Sequence, residues 1–352
     1  MTTQEVEVPV QKPSTPRQRL SSRAAAITGR GRIGLRLATL AAACAIVFVV
    51  GANANPGIRY GVVLSVVYAI AILGNNAVLG LLGEMNLSGA AFMALGAYVF
   101  CYATTKGMDT TIAVAFAVVV TTIAAAVIAV PTTRLQGIFT ALATFTMAFA
   151  VPTFVIYLKD FTGGDEGIAA PYDWAPFGLA LSGGTWQMLL VSLVVFGLLG
   201  AASLYMLNSR SGRAALIIGE AELAGKVNGF SPRITKVAIW TWAGGLQGIA
   251  GVLFALTLGY IGPTGFHFML GIWILVGSVI AGPRSAWGAL LGGLFVGVLP
   301  VQLQTIMPAA GTGILFGALL LLGLFAGGKG LAEWIERAGL QLMDRKSTRK
   351  AA

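Results

Sequence analysis

Residues 208–236 read NSRSGRAALIIGEAELAGKVNGFSPRITK, the one long polar insertion with basic character in a chain otherwise made of apolar runs. Arg210, Arg213, Lys226, Arg233 and Lys236 outnumber Glu220 and Glu222 within it. Apolar runs flank it on both sides, Trp186 to Leu207 and Val237 to Leu258. Each is long enough to cross a bilayer, because about 20 helical residues span the hydrocarbon layer. A basic segment between two such runs reads as a helical loop on the cytoplasmic face, with something there for it to touch.

Composition carries this reading to the whole chain. Of 352 residues, 57% are hydrophobic and 10% charged, and the mean hydropathy is +0.83. A soluble domain carries about 25% charged residues, so the solvent for most of this chain is lipid. Runs of this length favour helices over the short alternating segments of a barrel. The fold class is therefore all-α, a polytopic transmembrane helical bundle. The net charge of +10 reads as basic loops and tails rather than affinity for nucleic acid. Cys44 and Cys101 both lie in apolar runs and read as small buried hydrophobes.

Residues 1–36 hold three prolines and then Arg17, Arg19, Arg23, Arg30, Arg32 and Arg36. This pattern predicts a disordered basic cytoplasmic tail, retained because a signal peptide has a shorter charged region and a cleavage site. Ten candidate spans follow, at 37–53, 60–81, 87–105, 110–130, 136–158, 186–207, 237–258, 267–282, 286–304 and 312–328. Together they make a transmembrane domain over 37–328, ahead of a basic cytoplasmic tail at 329–352. The third is also readable as a broken or re-entrant segment, since Gly83, Gly89 and Gly96 interrupt it.

Charge tests the count. Arg134, the 208–236 loop, Arg284 and the C-terminal tail all follow even-numbered spans, which places both termini in the cytoplasm. The 159–185 loop holds Asp160, Asp165, Glu166 and Asp173 with a single Lys and reads as external. Arg59 and Lys106 are exceptions, each near an outer end. Glycines recur one turn apart, as in Gly244 with Gly248, Gly288 with Gly292, Gly293 with Gly297 and Gly313 with Gly317. Such pairs let helix backbones approach closely where lipid provides no hydrophobic drive.

Several chemistries find no support. Gly327-Gly328-Lys329-Gly330 lacks the spacing and hydroxyl of a phosphate loop. His267 is the one histidine and makes neither a metal site nor a triad, so no catalytic or metal residue is assigned. Glu84 is the single carboxylate close to a span that an ion-coupled carrier would need, and it reads as interfacial. The energy source therefore lies outside this chain. A secondary carrier using Glu84 as its proton site and a passive facilitator are the rivals.

Six stretches together resemble one family, the inner-membrane permeases of branched-chain amino acid ABC importers, the LivM type. They are GNNAVLGLLGEMNLSGAAFMALGAY at 74–98, RLQGIFTALATFTMAF at 134–149, TGGDEGI at 162–168, EAELAGKVNGF at 220–230, GYIGPTGFHF at 259–268 and AGPRSAWGAL at 281–290. They follow the family's order. The chain departs from the family pattern at Glu84, Ser88-Gly89 and Pro283-Arg284, which leaves urea, short amides or another small polar solute as alternative cargo.

The resemblance implies a multi-pass subunit of the cell's inner or plasma membrane, surrounded by lipid. It implies pairing with a second homologous permease, two ABC ATPase subunits that use ATP and magnesium, and an extracytoplasmic substrate-binding protein. This chain itself would hold no cofactor. Glu220, Ala221, Glu222, Ala224, Lys226, Gly229 and Phe230 would form a short helix docking on an ATPase, with both glutamates at its start and Gly229 turning the chain at its end. Asp160, Asp165, Glu166 and Asp173 would face the binding protein. Asn86, Ser88, Thr140, Thr144 and Thr146 are the candidate lining of the translocation path.

Overall fold

The computed structural model describes residues 16–135, 137–171 and 183–304, together with Ala318. The tenth candidate span, the C-terminal tail, Asp173 and the Gly313–Gly317 pair lie outside the described residues.

The long apolar runs become α1 (Pro16–Asn53), α2 (Pro56–Leu82), α3 (Gly89–Thr105), α4 (Thr110–Thr132), α5 (Ile138–Tyr157), α7 (Trp186–Asn208), α10 (Pro232–Leu258), α11 (Phe268–Ala281) and α12 (Gly288–Gln304). Short helices α6 (Lys159–Thr162), α8 (Arg210–Glu220) and α9 (Glu222–Val227) sit in the connections. Among the described residues, seven helices are long and apolar enough to cross a membrane, while Gly89–Thr105 and Gly288–Val298 are apolar but shorter. The chain is thus an all-α, multi-pass membrane protein.

Helix α1 starts at Pro16, well inside the segment expected to be a disordered tail through residue 36. Its early residues are rich in Arg, Ala and Leu, which are strong helix formers whatever their charge, and proline is favoured at a first helical position.

Helices α2 and α10 form the buried axis of the bundle, with 83% and 72% of their most apolar windows enclosed. Helices α7, α11 and α12 flank α2, α3 and α4 flank α10, and α1 packs outside α7. Helix α5 stands at the edge against α3, α11 and the 3-10 turns. The glycine pairs sit at these seams: a Cβ at Gly293 or Gly297 would strike Ser65 of α2, and one at Gly244 or Gly248 would strike Ala125 or Thr121 of α4. These helices touch nearly backbone to backbone, as small residues one turn apart allow.

Both charge exceptions have local partners. The Arg59 guanidinium donates to the carbonyls of Gly51, Ala52 and Ala54 at 2.8–3.1 Å, closing the C-terminal end of α1 where the helix dipole favours a cation. Lys106 lies 5.4 Å from the Tyr102 ring centre.

A two-stranded antiparallel sheet, β1 (Ile168–Ala169) with β2 (Tyr260–Ile261), joins two of the six stretches singled out in the sequence. The Ala170 amide donates to the Gly259 carbonyl at 3.0 Å, and Tyr260 Oη donates to the Glu166 carbonyl. Both stretches therefore lie at one end of the bundle, and α8 and α9 lie at the other.

Candidate functional site

The chain breaks between α2 and α3. Gly83 ends α2 in the left-handed region (φ +67°), its N–H donating to Leu79 O at 3.2 Å. Residues 84–88 are not helical, yet Glu84, Asn86 and Ser88 are buried. Irregular backbone at membrane depth is tolerated only where protein encloses it or a cavity borders it. Here both hold. Asn86 Oδ1 accepts from Ser88 N at 2.9 Å and from Ser88 Oγ at 2.6 Å. The Leu87 amide donates to Thr144 Oγ1 of α5 at 3.2 Å, and a Cβ on Gly271 of α11 would strike the Leu87 carbonyl. The broken reading of the third span is thus realised as a non-helical approach, residues 84–88, followed by α3.

Beside the break, a cavity of about 580 Å³ opens between α4, α5 and α10. Ser88, Thr132, Thr144, Met147, Phe154 and Trp240 contribute to its wall. An apolar surface with a few hydroxyls suits a small solute that has an apolar side chain and a polar end. Polar atoms without a partner among the described residues gather near the start of α3. Asn86 Nδ2 and Thr140 Oγ1 are buried and unpaired, and so are both amide atoms of Gln247, whose Nε2 lies next to Gly89.

Three of the five candidate path residues therefore come together: Ser88 and Thr144 line the cavity, and Asn86 holds Ser88. Thr140 is buried one turn before Thr144 on α5, its carbonyl accepting from Thr144 Oγ1 at 3.0 Å, and is not among the residues of the cavity wall. Thr146 does not join them. It is exposed and donates to Leu142 O of its own helix at 2.9 Å, because two residues along a helix turn the side chain by about 200°.

At the basic end, α8 lays Ala214, Ala215 and Ile218 inward and passes so close to α2 that a Cβ at Gly219 would strike Leu81 and Leu82. Ala221 breaks the helix with φ −157° and ψ 112°, and α9 starts at Glu222. This corrects the single helix expected from Glu220 onward. Glu220 is the last residue of α8, where the dipole disfavours a carboxylate, and only Glu222 stands in the first turn of α9.

Gly229 does turn the chain. It has φ +77°, and the Phe230 amide returns to Gly225 O at 3.0 Å. Leu223 and Val227, 72% and 81% exposed, give α9 an apolar outer face, with Ala224 partly covered and Lys226 exposed. Their four-residue spacing was visible in the sequence.

The charges nearest the break are tied together. Lys236 Nζ lies 2.9 Å from Glu84 Oε1 and 2.5 Å from Glu222 Oε1, and Trp240 Nε1 donates to Glu84 Oε2 at 3.0 Å. Glu84, expected from sequence to be interfacial, is enclosed by protein and paired. Nothing local in the sequence joins it to Lys236, since the partners lie on elements far apart in the chain.

At the other end, Asp160, Asp165 and Glu166 are exposed on the turn that β1 and β2 anchor. Thr162 Oγ1 accepts from the Gly164 amide at 3.2 Å and helps to hold that turn.

The sequence is similar to that of relatives of known role. Residues 57–324 match the family described as branched-chain amino acid transport system / permease component. The chain is 28% identical over 257 residues to the high-affinity branched-chain amino acid transport system permease protein LivM of Escherichia coli K12, covering 66% of this chain and 60% of that one. The protein of the same name from Salmonella typhimurium LT2 matches at the same identity and coverage. The match thus spans about 60% of the length of these relatives. No solved structure matches. With a family match running across nearly all of its described helices, the chain belongs to the branched-chain amino acid transport system permease family.

Proposed function

We propose that this chain is the membrane-spanning subunit of an ATP-driven importer that carries branched-chain amino acids inward. It pairs with a second, similar permease. Two ATPase subunits using ATP and magnesium drive it from the cytoplasm, and a binding protein delivers solute outside. Ten spans and two cytoplasmic termini belong to this reading. Asp160, Asp165 and Glu166, with Asp173, steer the binding protein by charge more than they set its affinity.

The observation that carries the proposal is α9, a short helix with an exposed Leu223–Val227 face, held between α8 and α10 at the end opposite the acidic turn. Exposed apolar side chains on a polar loop fit a partner's groove. Ser88, Thr144 and Asn86, gathered beside the cavity, form the solute path in this reading, with Thr140 one turn along α5. The ion-coupled carrier is less well supported, because Glu84 is engaged by Lys236 and Trp240 rather than available to a moving proton. A cavity of this character also admits short amides or urea, which a ligand screen on the binding protein separates from amino acids.

Proteoliposomes test the proposal. Leucine uptake is expected only when this chain, its partner permease, the ATPases, ATP and the binding protein are all present. Accumulation by this chain alone under an ion gradient would overturn it.

A further inference from the structure

We propose that Lys236 is a positioning residue that ties α9 to the wall of the cavity through the chain Glu222–Lys236–Glu84–Trp240. The inference deepens the preceding reading and rests on α9 being the ATPase contact.

The chain of contacts is continuous. Glu222 opens α9, Lys236 lies in the first turns of α10, Glu84 lies in the broken segment, and Trp240 both donates to Glu84 and lines the cavity. The side chains of Lys236 and Glu84 are 6% and 9% exposed. Ionised groups so enclosed by protein are expensive to hold and mark function more often than stability.

Their placement suggests which function. The covalent link from α9 runs through residues 228–231 into α10, so a push on α9 reaches α10 directly. By that route it reaches the broken segment only second-hand, through Trp240 of α10 on Glu84. Helix α8 touches the end of α2 at Leu81 and Leu82, but Gly83 follows, with a positive φ and open space around it, and so makes a poor strut. The segment's other ties, from Leu87 to Thr144 and Gly271, lead to α5 and α11. Trp240, which donates to Glu84, and Gln247, beside Gly89, already tie the segment to α10. The ammonium shared by Glu222 and Glu84 adds the side-chain link that reaches α9 itself. Without it, α9 would act on the segment only through the 228–231 turn and α10.

The test uses the assembled transporter in proteoliposomes, with Cys44 and Cys101 replaced by Ala. Lys236→Met keeps the length and apolar bulk of the side chain. Solute moved per ATP is expected to fall about tenfold, a typical size for coupling between sites. Cross-linking of Val227→Cys to the ATPase should stay at its wild-type level. The nucleotide-dependent change in thiol accessibility of Met147→Cys, on the cavity wall, should be much reduced. A merely structural role would leave that change intact in protein that had inserted.

Glu84→Gln combined with Lys236→Met is expected to be no worse than Lys236→Met alone, because both cut the same link. The double variant also leaves no unpaired charge at the buried pair, so it serves if the single variant fails to insert. A wild-type transport ratio with an intact nucleotide response, in either inserted variant, would overturn the inference while leaving the docking reading untouched. Loss of the Val227→Cys cross-link in the otherwise unaltered protein would instead overturn the docking reading, and the inference with it.

Discussion

Single side chains hold the break in place. Thr144 is the acceptor for the Leu87 amide, and Thr144→Val would leave that N–H without its partner in an enclosed site. An orphaned buried donor costs about 1–3 kcal/mol, so the purified protein should unfold at lower temperature in a detergent melt. An unchanged midpoint would mean that water replaces the hydroxyl. At Gly293, any side chain meets the backbone and side chains of α2. Gly293→Leu should destabilise by about 1–3 kcal/mol or more, the usual range for overpacking, and lower the yield of folded protein. At this scale the sequence was half legible. The Gly293–Gly297 spacing announced a close seam, but its partner Ser65 did not. The pairing of Glu84 was not legible, because its partners, Lys236 and Trp240, are brought to it only by the packing of α10 beside the break.

Elements read from hydropathy came through well, because about 20 apolar residues in lipid leave the backbone little choice but a helix. The loops did not, since their form is set by what they rest on. The 208–236 stretch was legible as a basic insertion with a turn at Gly229. Its division at Ala221 follows from α8 lying against the end of α2, and the β1–β2 pairing depends on two stretches meeting across the bundle. These details sharpen two predictions for α9. Gly229→Pro imposes a φ near −65° where the chain needs +77°. It should separate ATP hydrolysis from uptake without loss of insertion, measured as leucine moved per phosphate released. Changing both Glu220 and Glu222 to Lys should do the same, chiefly through Glu222, which faces Lys236. Wild-type uptake in both variants would count against the coupling role of α9.

For the whole molecule, the two ends differ in kind. One carries α8, α9 and the ion chain; the other carries the acidic turn, the small sheet and the Arg59 clasp. Charge bias in the sequence assigned these ends to the cytoplasm and the exterior, and antiparallel succession of the helices keeps each set of loops together. The account depends on α9 being gripped from the cytosol by a separate ATPase. Labelling of Val227→Cys with a membrane-impermeant maleimide, in a background lacking Cys44 and Cys101, tests this most directly. The account predicts no labelling in intact cells, ready labelling in inverted vesicles stripped of ATPase, and renewed protection when the ATPase is added back. Labelling from outside intact cells, or reactivity in inverted vesicles that the ATPase does not alter, would contradict it.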